Sequence, residues 1–161
     1  MRPIPTIDQV QSGDPRALGV AVTLAERGAP SFQQTLARLR SSAGRAFRVG
    51  FAGPPGAGKS SLLREVVRRI RQGGERAAIV ASDPVSPLTG GALLGDRYRM
   101  AGVADDPGVF FRSIAHRGAA GEPCPAACLA ADILDSGGFP WIFLETVGTG
   151  QLESDIVRCA H

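Results

Sequence analysis

Eight consecutive residues, Gly53-Pro54-Pro55-Gly56-Ala57-Gly58-Lys59-Ser60, satisfy the pattern G-x-x-x-x-G-K-[ST]. Each residue type has a reason to be there. Glycines let backbone N–H groups turn inward without Cβ clashes and form a nest for an anion. A helix starting at the end of such a loop adds positive potential where phosphates sit. Lys59 has the reach to meet β- and γ-phosphates, and the Ser60 hydroxyl suits Mg²⁺. Lys59 is also the only lysine in the chain, the other basic side chains being arginines. A compact, mobile ammonium has been kept where a guanidinium fork is a poor substitute.

Two carboxylates are candidates to share that metal. Asp83 follows the apolar run Ala77–Ala81, and Glu145 follows Trp141-Ile142-Phe143-Leu144. In open parallel sheets ligands bind at the carboxyl ends of strands, beside the loop, so both acids are expected to face the phosphate-bound Mg²⁺, directly or through water. Glu145-Thr146-Val147-Gly148 further mimics a D-x-x-G motif in which the glycine N–H senses a γ-phosphate, making Gly148 a nucleotide-binding candidate. The catalytic candidates are Lys59, Glu145 and, as a positioner of attacking water, Gln151. Arg97 and Arg99 read as solvated or structural arginines.

These residues need strands and helices to hold them. Phe47–Ala52 reads as a buried strand running into the loop. After Lys59, residues Leu62, Leu63, Val66, Val67 and Ile70 recur at helical spacing until Gly73-Gly74. Further strands are expected at 77–81, at 109–111 and at 141–144, with a helix from about Pro125 to Leu134. Upstream, Asp14 and Pro15 open a helix ended by Gly28, and a second helix runs from about Pro30 to Leu39. Strands alternating with helices imply an α/β architecture with a mostly parallel sheet.

At 161 residues and 43% hydrophobic content, the chain has material for one core. No apolar run reaches transmembrane length, and the start lacks a secretory pattern, so a soluble, cytoplasmic protein is expected. The net charge of +3 is modest. Arg64, Arg68, Arg69 and Arg71 would make a basic patch, but Glu65 interrupts it and no aromatic platform accompanies it, which favours a solvated helix face over nucleic acid. Cys124 and Cys128 stand four apart, and a zinc site would have to recruit His116, Cys159 or His161. Small, buried, reduced cysteines are the expectation.

Four blocks resemble the MeaB/ArgK family of P-loop GTPases, within the SIMIBI class: 53–61, 83–100, 109–118 and 145–153. The pairing of D-P-x-S-P-x-T-G-G-x-x-L-G-D with E-T-V-G-x-G-Q is the distinctive part. The resemblance implies a P-loop NTPase fold with N-terminal helices over residues 1–45 and the N-terminal half of a G domain over 46–161. It extends the phosphate-binding set to Ser61, makes 83–91 a first switch with Asp83 near the metal, and starts a second switch at Glu145 and Gly148. The implied cofactors are GTP/GDP and Mg²⁺. The implied role is a GTP-hydrolysing chaperone of an adenosylcobalamin-dependent mutase such as methylmalonyl-CoA mutase. Some relatives carry older names as LAO/AO transport-system kinases or ATPases.

The sequence departs from that family in length. Family chains run about twice as far, adding an N-K-x-D guanine-reading motif and the region through which they form homodimers. With Lys59 the sole lysine, no N-K-x-D is possible here. The expectations are therefore a fragment or truncated product, a partial sheet with an uncovered apolar edge, and GTP-over-ATP preference unreadable from these residues. A non-catalytic nucleotide-binding or interaction module is the alternative.

Overall fold

A computed structural model describes residues 3–84, 100–116, 125–146 and 159–160. Its elements in chain order are α1 (Ile7–Gln11), α2 (Pro15–Glu26), a 3₁₀ turn (Pro30–Phe32), α3 (Gln33–Ser41), β1 (Phe47–Phe51), α4 (Lys59–Gln72), β2 (Ala77–Pro84), β3 (Val109–His116), α5 (Pro125–Ser136) and β4 (Trp141–Glu145). α1 is not among the elements expected from the sequence, and it is held by a reciprocal cap. Thr6 accepts from the Gln9 N–H, while the Gln9 side chain accepts from the Thr6 N–H. As expected, Asp14 caps α2, accepting from the Ala17 N–H at 2.6 Å, with Pro15 in the first turn. The strand expected at 109–111 continues to His116 because its whole length pairs with β2.

The four strands are parallel and ordered β1-β4-β2-β3. Side-chain alternation sends each strand to two cores. Ala78 and Val80 of β2 and Ile142 and Leu144 of β4 pack with Leu18, Val22, Leu36, Leu39, Ile133 and Leu134 from α2, α3 and α5. Ala77, Ile79 and Phe143 face the other way, against Leu63 and Val67 of α4 and against Met100 and Val103. A central strand buried on both sides must read as an apolar run, as β4 does.

Among the described residues β1 lies at the edge of the sheet. Phe47 is 54% exposed, whereas Ile142, Phe143 and Leu144 of β4 are fully buried. The helical stripe on α4 is correspondingly narrower than its sequence implies. Leu63 and Val67 are buried, Val66 and Ile70 partly so, and Leu62 is 59% exposed.

Where the chain turns from the N-terminal helices into β1, one buried carboxylate gathers the backbone. Asp135 accepts from the N–H groups of Gly44 (2.8 Å), Arg45 (3.1 Å) and Ala46 (3.2 Å). The Arg48 guanidinium bridges it to Asp132, at 2.9 Å to each. An acid in the last turn of α5 opposes the helix dipole. Burial pushes the Asp135 pKa up, but the Gly44 N–H, the Arg48 guanidinium and the Arg45 and Ala46 N–H groups outweigh it, leaving the carboxyl below its ordinary value.

The expectation of reduced cysteines is corrected: Cys128 of α5 and Cys159 are disulfide-bonded, with Cα atoms 5.2 Å apart. Separation along the chain hid a pairing that packing α5 against the sheet creates. Cys124 lies outside the described residues. Among those residues no group of three or more His, Cys, Asp or Glu side chains is placed to hold a metal.

Candidate functional site

β1 ends at Phe51, and the loop 52–58 carries the chain from the carboxyl edge of the sheet into α4. Gly58 occupies the N-cap position of α4 with φ +85°, a left-handed conformation that disfavours a Cβ. Gly53 and Gly56 also have positive φ, +140° and +79°. Added Cβ atoms at Gly56 and Gly58 would meet nothing within 4 Å. The glycines there serve backbone direction, since space is not limiting. Pro54, Pro55, Gly56, Ala57 and Gly58 are exposed, and no side chain caps α4, which leaves its first N–H groups facing outward.

The Lys59 ammonium folds back over the loop. It donates to the Gly53 carbonyl at 2.7 Å and to the Pro54 carbonyl at 3.0 Å. The cation is thus already at the mouth of the nest, held by neutral acceptors that stronger anionic acceptors can replace. One residue on, the Ser60 hydroxyl donates to Glu145 Oε1 at 2.5 Å. Glu145 is 4% exposed and pairs with Phe51 across β1 and β4, so the acid sits beside the last residue before the loop. Ser61 is exposed on the first turn of α4.

The structure therefore brings Lys59, Ser60 and Glu145 together, with Gly53 and Pro54 supplying the lysine's resting partners. A hydroxyl and a carboxylate in direct contact beside the glycine-rich loop are hard oxygen donors of the kind Mg²⁺ takes, so the residues fit that ion. Asp83 lies two residues past Ala81, the last β2 residue paired to β4, at the carboxyl end of the sheet; its side chain is outside the described residues. Gly148 and Gln151, as well as Arg97 and Arg99, also lie outside them.

Sequence reasoning passed over Thr146. Its N–H donates to the Phe51 carbonyl at 3.2 Å and its hydroxyl does so at 3.4 Å, with the side chain 4% exposed. That carbonyl belongs to the residue leading into the loop, so Thr146 ties the strand carrying Glu145 to the strand carrying the nest. Only the β1–β4 adjacency makes the link, and the linear sequence does not state that adjacency.

Three of the α4 arginines carry counter-charges. Arg68 and Arg69 pair with Glu65, and Arg71 pairs with Asp106. The Arg68 hydrogen bond holds the Glu65 pKa down at about 2, against the opposing effect of desolvation. The sequence reading expected a solvated helix face; the ion pairs are what the structure adds.

Comparison with known proteins follows the same line. A family model described as methylmalonyl Co-A mutase-associated GTPase MeaB matches residues 18–161. A protein of Pyrococcus abyssi (strain GE5 / Orsay), whose name proposes a GTPase, is 45% identical over 154 residues, covering 96% of this chain and 48% of its own. A fused isobutyryl-CoA mutase of Nocardia farcinica (strain IFM 10152) is 40% identical over 164 residues, or 95% of this chain and 14% of the mutase. The crystal structure of a LAO/AO transport system kinase superposes with a TM-score of 0.68 at 27% identity, covering 94% of this chain and 45% of that one. The chain spans about half the length of the first two curated relatives it matches.

Proposed function

The chain belongs to the MeaB family of methylmalonyl-CoA mutase-associated GTPases, and on that premise we propose that it binds Mg-GTP at 53–61 and contributes to its hydrolysis. The observation that carries the reading is the junction at the foot of α4. There Lys59 is poised at the nest, and Ser60 is bonded to the buried acid ending β4. Phosphate oxygens replace the Gly53 and Pro54 carbonyls as acceptors for Lys59, while loop and first-turn N–H groups, including those of Ser60 and Ser61, hold the remaining charge. Ser60, with Glu145 and Asp83 directly or through water, would hold Mg²⁺. The ion would neutralise charge on the β- and γ-phosphates. Water attacks the γ-phosphorus in line with the leaving oxygen. Gln151 is assigned to orient that water, and the Gly148 N–H to sense the γ-phosphate.

The biological role proposed is a GTP-dependent chaperone of an adenosylcobalamin-dependent acyl-CoA mutase. It is supported by the family's description and by a relative that is itself a fused mutase. A cytoplasmic location is part of the proposal; among the described residues no helix is long and apolar enough to cross a membrane. Calorimetric titration of GTP, GDP and ATP with and without Mg²⁺, alongside phosphate release, tests the reading. Mg-dependent GTP binding that Lys59→Ala removes is expected. Tight Mg-GTP binding that survives Lys59→Ala would overturn the site, and binding without turnover would reduce the chain to a nucleotide-binding module.

A further inference from the structure

We propose that Cys128 and Cys159 form a reversible thiol–disulfide site, oxidised by low-molecular-weight disulfides of the glutathione class. Three observations carry the inference. The Cα spacing of 5.2 Å lies within the range a disulfide spans without moving backbone. The two sulfurs differ in access: Cys159 is 6% exposed, whereas Cys128 is only partly buried.

The third observation is the setting of the pair in the core. Cys128 and Cys159 lie in the apolar cluster that holds Leu18, Ile133, Leu134 and Ile142, and reduced thiols pack there as small hydrophobes. Reduction therefore removes a cross-link without removing the core. The link is 31 residues long in sequence and encloses Asp132 and Asp135 of α5 together with all of β4, including Glu145. Oxidation restrains the chain on both sides of the acid that meets Ser60.

The exchange balances without any other reagent. The Cys128 thiolate attacks one sulfur of the small disulfide, forming a mixed disulfide and releasing one thiol. The Cys159 thiolate then attacks Cys128 Sγ, forming the protein disulfide and releasing the second thiol. Two cysteines are oxidised and one small disulfide is reduced, with the cysteine protons passing to the two released thiols.

The test is equilibration of the whole chain in glutathione buffers of graded ratio, followed by acid quench, alkylation and peptide mass analysis. Cys124 provides an internal thiol for comparison. Cys128 and Cys159 are expected to lose alkylation together as the ratio becomes oxidising, to recover it on reversal, and to appear as one linked peptide. Oxidised chain should melt several degrees higher than reduced chain, and Cys159→Ser should abolish that difference. Thiols that stay alkylatable in the most oxidising buffer, or a bond that persists in the most reducing one, would overturn the proposal. The titration uses the unmutated chain, so it decides even if the variant fails to fold.

Discussion

Replacing Asp135 by alanine tests whether the entry to β1 is anchored where the structure puts it. The carboxylate accepts three backbone N–H groups, from Gly44, Arg45 and Ala46, and one branch of the Arg48 guanidinium, with its side chain 1% exposed. A net hydrogen bond contributes about 1 kcal/mol and one to a charged group about 1.5–3 kcal/mol. All four end on the ionised carboxylate, so full addition at the low end would give about 6 kcal/mol, which four bonds sharing one side chain do not reach, leaving about 4–5 kcal/mol. Arg48 keeps Asp132 at 2.9 Å, so its charge is not abandoned, and the lower figure of about 4 kcal/mol is preferred. At ~2–4 °C per kcal/mol for a domain of this size, Tm should fall by about 8–16 °C. Thermal unfolding measures that shift, and urea unfolding followed by the emission of Trp141, the sole tryptophan, measures the free-energy loss. Asp132→Ala supplies the internal comparison: it is more exposed (15%) and its second partner, Arg40, is 58% exposed, so it should cost much less. A loss under about 1 kcal/mol for Asp135→Ala, or equal losses for the two variants, would refute the reasoning.

Acid should erase part of the same effect. The Asp135 pKa is held below its unfolded value, so its contribution is complete above the ordinary carboxylate pKa of about 3.9 and disappears as pH falls through the lower folded value. The stability gap between wild type and Asp135→Ala, measured by urea unfolding from pH 6 downward, should therefore narrow only below about pH 4. A gap that closes near pH 6 would assign the effect to another group. Glu145→Gln keeps the shape of the buried side chain but removes the anionic acceptor of the Ser60 hydroxyl. Because Glu145 is proposed to hold Mg²⁺ directly or through water, losing its charge should raise the Mg²⁺ concentration needed for GTP binding about 10–100-fold, read by calorimetry. An unchanged requirement would remove Glu145 from the metal site. Gly58→Ala should cost about 1–2 kcal/mol through its left-handed φ of +85° alone, since the new Cβ meets nothing within 4 Å. It should weaken GTP binding by turning loop N–H groups away; unchanged Tm and affinity would mean the loop does not need that conformation.

Much of this protein is legible from local pattern. The nest and its lysine were readable because a tight turn, inward amides and a single ammonium each demand a residue type at a fixed position, as Gly53, Gly58 and Lys59 provide. β4 was readable because a strand buried on both faces has to be apolar throughout. Relations between distant segments could not be read. Which strand neighbours β1 follows from how helices pack on two faces of a sheet, and that packing places Glu145 beside Phe51 and within a hydrogen bond of Ser60. It equally decides that Leu62 faces solvent despite its helical spacing, that Cys128 finds Cys159, and that an acid at the unfavourable end of α5 gathers the backbone leading into β1. Sequence fixes what each residue can offer, because backbone geometry and side-chain chemistry are local. Tertiary structure decides which offers meet, because burial and strand order bring together residues about 90 positions apart.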